Sequence, residues 1–398
     1  MTNSSEKKKL HILFLPRWYP NRYDPMFGLF VQRHAEAVAL RNQVSVVYVN
    51  EANSTQEKVF EINQTEEQGV FNTTIYYRKS VLKPVFLSKI INGYRFYKAN
   101  FKGIGLIKEK SGEFQLIHVH ILTRLGLIAL WFKLAKSIPF IITEHWSRYL
   151  PLTNGFKGYC RKTLTKIVVK NASFVTTVTN NLAEAMKRHG LVNQAYVVLP
   201  NVVDVNLFTI QTHEVNRSIK IVHISCFEDR SKNITGLLHS FRKLSIDRHD
   251  FECVLIGEGM DFEEIRKSAI DLESAGIVRF TGLLQNKELV DELASSDFLV
   301  LFSNYESMPV VIPEAFACGL PVLATRVGGI PEIVNNGNGL LVDSKNENQL
   351  TDALITMLDS YKNYDPEKLR ESVKSTNSYE AVSEFLDGLY QKSVRRSR

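Results

Sequence analysis

The stretch DFLVLFSNYESMPVVIPEAFACGLPVLAT, residues 297–325, decides the reading of this chain. Phe298–Phe302 is a short continuous apolar run, which suits a strand covered on both faces. A loop with Tyr305, Glu306 and Ser307 follows. Pro309 then stands at the start of a helical pattern over Val310–Cys318, where its missing N–H costs nothing. Pro321–Ala324 reads as the next strand. Ligands of open α/β sheets bind beyond the carboxyl ends of such strands, and free N–H groups at a helix start attract phosphate. Glu306 in the loop and Glu314 about one turn into the helix could grip two hydroxylated parts of one extended ligand. In isolation they would read as two surface glutamates; the flanking Pro, Gly and loop favour the ligand.

The same alternation extends outward. In the second half, strands are expected at Lys220–Ile224, Glu252–Ile256, Val278–Phe280, Phe298–Phe302, Pro321–Ala324 and Leu340–Val342, with helical patterns between them. In the first half they are expected at His11–Leu15, Gln43–Val49, Thr74–Arg78, Gln115–Val119, Phe140–Thr143, Phe174–Val178 and Tyr196–Leu199. Apolar strands separated by helices mean parallel sheets covered on both faces, and two such series mean an α/β protein of two doubly wound Rossmann-like domains with a cleft between them. The expected division is 1–205, 206–378 and a last helix, 379–398, returning to the first domain. The polar, aperiodic segment Asn201–Ser218 reads as the junction, and the acidic segment Glu51–Gln68 as a loop excursion.

Composition bounds the function. The 398 residues are 44% hydrophobic and 23% charged, which excludes disorder, collagen and coiled coil for the chain as a whole. Cys160, Cys226, Cys253 and Cys318 stand far apart, without C-x-x-C spacing, and read as free thiols in a reducing compartment. The most apolar run, Leu125–Leu134, contains Lys133 and is too short to span a bilayer. The short run Leu10–Leu15 after Lys7, Lys8 and Lys9 is closed by Pro16 and Arg17 and reads as a first strand rather than a signal peptide. A cytoplasmic protein is expected, with a peripheral place on the inner membrane face.

The net charge of +7 hides an asymmetry. Residues 1–200 hold 28 Lys+Arg against 12 Asp+Glu, or +16, and residues 201–398 hold 21 against 30, or −9. The densest basic stretch, Arg78–Lys110, interleaves cations with Phe86, Tyr94, Phe96, Tyr97 and Phe101. It reads as a solvated helix face, a nucleic-acid surface or an anionic-membrane surface. No zinc-finger or RNP motif supports nucleic acid, so none is expected as a partner. Cations and interfacial aromatics together favour the membrane surface.

Other candidates occupy the expected loops. In Phe227–Asn233, Arg230 and Lys232 could clamp a diphosphate, one as a planar fork and one as a point charge. Gly257-Glu258-Gly259 and Gly328-Gly329-Ile330-Pro331-Glu332 are weak turn signals alone. Gly28, after the proline-bearing loop from Pro16 to Pro25, would allow a ligand to approach the backbone. His118 and His120 read as core or edge histidines, whereas His145, ending a strand, is kept as a cleft residue; no supported metal site emerges.

Together these residues resemble the retaining glycosyltransferases of family four, with the GT-B fold. The match is E-x7-E from Glu306 to Glu314, then Ala315-Phe316-Ala317-Cys318-Gly319-Leu320-Pro321-Val322 and Gly328–Val334. Looser matches are Pro20, Gly28, His145, Pro200–Asp204, the Lys232 segment, Gly257 and Phe280-Thr281-Gly282. The resemblance implies that Glu306 and His145 contact the donor sugar, Glu314 the ribose and Lys232 the diphosphate. It places Gly28 and the backbone of Ser307, Met308, Pro309 and Val310 near phosphate and sugar, and Thr281, Gly282 and Leu284 near the base. One departure is that Phe227 or Cys226 stands where the family often has an arginine; Arg230 is its candidate substitute.

The resemblance implies transfer of a sugar from a nucleotide-diphosphate sugar to an acceptor hydroxyl, in surface polysaccharide or glycolipid assembly. Its partners would be that donor, an acceptor saccharide, lipid-linked or not, and the anionic membrane surface. No cofactor and no metal are implied. A sugar-nucleotide epimerase of the same architecture, and a non-catalytic nucleotide-sugar-binding membrane adaptor, are the alternatives.

Overall fold

The computed structural model describes residues 9–53, 55–122, 124–153, 155–211 and 218–396. The first lobe contains β1 (His11–Pro16), β2 (Gln43–Ala52), β3 (Phe60–Glu67), β4 (Val70–Arg78), β5 (Leu116–His120), β6 (Phe140–Glu144), β7 (Phe174–Thr177) and β8 (Tyr196–Val198). The second contains β9 (Ile219–Ile224), β10 (Phe251–Ile256), β11 (Val278–Gly282), β12 (Phe298–Leu301), β13 (Val322–Thr325) and β14 (Gly339–Val342). The sheet orders are β3-β4-β2-β1-β5-β6-β7-β8 and β11-β10-β9-β12-β13-β14. The pairs are parallel apart from β3–β4. These are the two Rossmann-like sheets of a GT-B fold.

The apolar runs explain the layering. β1, β5 and β6 are buried at every residue, because helices cover both faces of the sheet. Strand order reverses direction at β1 and at β9. Loops after the two switch-point strands are therefore the natural ligand-bearing ones.

One expectation fails. Residues 60–67 are not a loop excursion but strand β3, antiparallel to β4 at the sheet edge. Gln68 and Gly69 both have positive φ, 49° and 73°, which suits a two-residue hairpin turn. Charge concealed the strand: its glutamates face solvent at an edge, where charge discourages further pairing.

The chain passes between lobes twice. At the junction the Val203 N–H donates to the Asn377 carbonyl at 2.9 Å, and Asn377 Nδ2 donates to the Asn201 carbonyl at 2.8 Å. Residues 212–217 of the expected junction lie outside the described residues, as do Lys7, Lys8 and Arg398. Beyond Asn377, the helix Tyr379–Arg396 lies on the first lobe's helix Leu29–Ala39. It buries Val382, Leu386 and Tyr390 in that lobe's core, and the Tyr390 hydroxyl sits 2.7 Å from His118 Nδ1.

Candidate active site

A cavity of about 750 Å³ lies between the lobes. Met26, Phe30 and Arg33 line it from the first lobe; Ser225, Lys232, Gly257, Leu284, Pro309, Val310 and Glu314 line it from the second. Loops after β1 and β9 thus face each other, as the strand orders require.

Local hydrogen bonds hold Lys232 in place. It closes the short helix Asp229–Lys232, whose Asp229 N–H donates to Asp261 and whose Asp229 carboxylate accepts the Thr235 N–H. Lys232 Nζ lies 2.5 Å from Glu306 Oε1, and the same oxygen accepts the Ser303 hydroxyl at 2.9 Å. Both charged side chains are largely buried, with 17% and 10% of their surface exposed. Burial opposes the charge on Lys232, but Glu306, with Cys226 and Glu228, carries its pKa above the ordinary lysine value. A buried cation and carboxylate thus stand paired at the edge of the cavity, with Lys232 lining it.

Gly328 positions Glu306. Its φ is 57°, and a Cβ there would lie 1.9 Å from the Glu306 carbonyl oxygen. The next residue, Gly329, donates its N–H to the Ser307 carbonyl at 3.0 Å. Glu332, ending this segment, accepts the N–H groups of Asn180 and Asn181 at 2.7 Å each. The weak Gly-Gly-Ile-Pro-Glu signal is therefore a support for the site and a clamp onto the first lobe.

Glu314 has an unexpected partner. Its Oε1 lies 2.7 Å from the guanidinium of Arg33, across the cleft, with side chains 9% and 14% exposed. Burial opposes the Arg33 charge, and Glu314 more than compensates, so its pKa is raised. Sequence reasoning passed over Arg33. It lies in the helix Leu29–Ala39 without a local motif, and only folding brings residue 33 against residue 314.

Several of the other expected residues have surroundings that only the fold reveals. Gly28 is required by the chain's own backbone, because a Cβ there would meet the Trp18 carbonyl carbon at 2.4 Å and its φ is 74°. Arg230 is exposed and does not line the cleft cavity; its carbonyl accepts from Asn304. Met308 faces the first lobe, whose core it packs against. His145 is buried, with its ring 4.5 Å from Phe30, so Phe30 rather than His145 lines the cavity. Burial, then His34 and His118, lowers the His145 pKa well below the usual histidine value.

The remaining candidates occupy the rim. Thr281 lines a neighbouring cavity of about 560 Å³, and Leu284 lines both. Gly282 accepts the Gly257 N–H at 2.9 Å, joining the two turns. Ser307 keeps a buried hydroxyl without a hydrogen-bond partner among the described residues.

Comparison with known proteins agrees with this architecture. A model described as glycosyltransferase family 4 matches residues 28–207, and one described as glycosyl transferases group 1 matches residues 209–376. The chain belongs to glycosyltransferase family four. This glycosyltransferase is 28% identical over 297 residues to an uncharacterized glycosyltransferase of Methanocaldococcus jannaschii, covering 74% of this chain and 78% of the relative. Sucrose-phosphate synthase from Thermosynechococcus elongatus superposes with a TM-score of 0.71 at 17% identity, over 96% of this chain and 99% of that one. Anabaena HepE, solved with UDP and glucose, gives 0.69 at 17% identity, over 96% and 99%. These likenesses give no support to the epimerase or adaptor readings. Among the described residues no helix is long and apolar enough to cross a membrane.

Proposed function

We propose that this family-four enzyme transfers a sugar, with retained anomeric configuration, from a nucleotide-diphosphate sugar held in the interlobe cavity. The observation that carries the reading is the buried Lys232–Glu306 pair at the edge of a cleft lined by both lobes. The complexes of HepE with UDP and glucose support the same class of donor.

Lys232 and Arg33 face the cavity and supply positive charge for the diphosphate. Arg33 thereby takes the task first assigned to Arg230. Glu306 adjoins the donor sugar, and Glu314 the ribose, once the nucleotide displaces part of its contact with Arg33. In the transfer the bond from the anomeric carbon to the diphosphate breaks, and a bond to the acceptor oxygen forms on the same face. The acceptor proton leaves with the diphosphate. Negative charge growing on that leaving group is what preplaced cations stabilise most. The two cations let the reading dispense with a metal. Gly257, Pro309 and Val310 shape the donor wall, with Thr281, Gly282 and Leu284 toward the base and Ser307 beneath the sugar.

The first lobe takes the acceptor, the second the donor, and the helix Tyr379–Arg396 braces the first lobe. Exposed Phe86, Ile90 and Tyr94, on a helix also bearing Lys89 and Lys98, support docking on an anionic membrane surface, where surface polysaccharide or glycolipid is assembled. A thermal-shift panel of nucleotide sugars tests the donor assignment: one member should raise the melting temperature of the wild type and much less that of Lys232→Ala. A panel without any shift would overturn it.

A further inference from the structure

A second cavity, of about 310 Å³, opens in the first lobe and collects four arginines: Arg17, Arg124, Arg148 and Arg161. Topology puts three of them there. Arg17 directly follows β1, Arg124 follows β5 and Arg148 follows β6, all beyond the carboxyl edge of the sheet, where ligands of α/β folds bind. Arg161 comes from the neighbouring helix Tyr159–Asn171. Trp146 supports two of the guanidinium groups, Arg148 at 3.5 Å and Arg17 at 5.0 Å from its ring centre. The Trp146 ring lies 5.2 Å from Trp18, and Trp18 lies 6.3 Å from Phe30 of the donor cavity. Two rings therefore bridge the cavities.

Three of these charges lack a carboxylate partner in direct contact. Among the described residues, no carboxylate forms an ion pair with Arg124, Arg148 or Arg161. The nearby carboxylate, Glu144, is committed elsewhere: its oxygens accept the N–H groups of Leu122, His145 and Trp146. Arg148 Nε is buried without a hydrogen-bond partner. Burial and then the neighbouring charges of Arg148 and Arg124 lower the Arg17 pKa. Gathering like charges costs energy that a bound anion repays, and planar guanidinium forks match phosphate oxygens.

We propose that this cavity binds the phosphate or diphosphate ester of the acceptor, so that the acceptor is an anionic sugar phosphate rather than a neutral saccharide. The inference rests on the glycosyltransferase reading above and adds the acceptor class to it. The phosphate is a handle; the attacking group remains a hydroxyl of the sugar, presented toward the donor cavity past Trp18. Tyr97 and exposed Leu164 form an apolar side of the cavity that could also receive the first carbons of a lipid chain.

Calorimetric titration tests this on the full chain carrying Lys232→Ala, which weakens anion binding in the donor cavity. The probes are inorganic diphosphate and farnesyl diphosphate. Both should bind, and Arg124→Gln with Arg148→Gln should weaken both by at least tenfold at an unchanged melting temperature. Should that double variant unfold, the exposed Arg161→Gln alone should weaken both about threefold. Tighter binding of the farnesyl probe would identify a lipid-linked source, and equal binding a soluble sugar phosphate; either supports the site. No binding of either probe, or affinities indifferent to the arginines, would overturn it. The nucleotide-sugar melting panel reports separately on the donor reading.

Discussion

The two lobes share one architecture and handle charge in opposite ways. The second lobe is acidic overall, yet it holds its key cation, Lys232, against Glu306 in a largely buried pair. The first lobe is strongly basic and gathers Arg124, Arg148 and Arg161 in a cavity where, among the described residues, none of the three forms an ion pair with a carboxylate. It also packs His34, His118, His120 and His145 ring against ring, with His118 and His120 only 4.0 Å apart. Similar parallel sheets thus leave the chemistry to their loops. One lobe presents a prepaired charge; the other gathers several like charges in one cavity.

The largest expected effect breaks the prepaired side. Lys232→Ala should lower turnover by about 10³-fold, the scale of losing a preplaced electrostatic contact in the transition state. Steady-state assay with the matching nucleotide sugar measures this, and turnover within tenfold of wild type would remove the functional distinction between the lobes.

Next comes the bridge between them. Removing either member of the largely buried Arg33–Glu314 pair should cost about 3 kcal/mol. Arg33→Met combined with Glu314→Gln should cost less than the sum of the two singles, because no charge is left unpaired. Urea unfolding of the four proteins closes that cycle, and strict additivity would argue against a direct pair.

Acid should separate the lobes more gently. In the first lobe His34, His118, His120 and His145, and His11 with them, have pKa values lowered chiefly by burial. A base depressed on folding contributes stability above its unfolded value near 6.5, and that stability is lost as pH falls toward the folded value. Each such group can remove up to about 1.4 kcal/mol per pH unit below that point. In the second lobe, burial likewise lowers His223, to about 4. Hydrogen exchange between pH 7 and 5, corrected for intrinsic rates, should therefore show first-lobe amides losing protection before second-lobe amides.

The smallest effect on the fold concerns the surface. Phe86→Ser with Ile90→Ser should weaken binding to anionic vesicles about tenfold while changing stability by no more than about 0.5 kcal/mol, since both side chains are exposed. Co-sedimentation indifferent to the pair would detach the basic helix from any membrane role.

Much of the fold was legible because continuous apolar runs between helical patterns have few alternatives. Strand β3 escaped because an edge strand needs only one paired flank and tolerates charge, so Glu61, Glu66 and Glu67 obscured the alternation. The Lys232 and E-x7-E segments were legible as motifs, since each lies within one loop-to-helix transition. Gly28 was legible as a special position, but its crowding against the Trp18 backbone was not. Arg33 carried no signal at all.

Amino-acid order alone determined the parallel strands of the two sheets, the loops that follow them and the uneven charge, because strand burial, turn residues and net charge are local or additive properties. Tertiary structure decided that Arg33 rather than Arg230 lines the cleft cavity with Lys232, that Phe30 shields His145, and that arginines from three loops and a helix share one cavity. Those outcomes depend on distances between residues far apart in the chain, which are set only when the sheets twist, the helices pack and the last helix ties the lobes together.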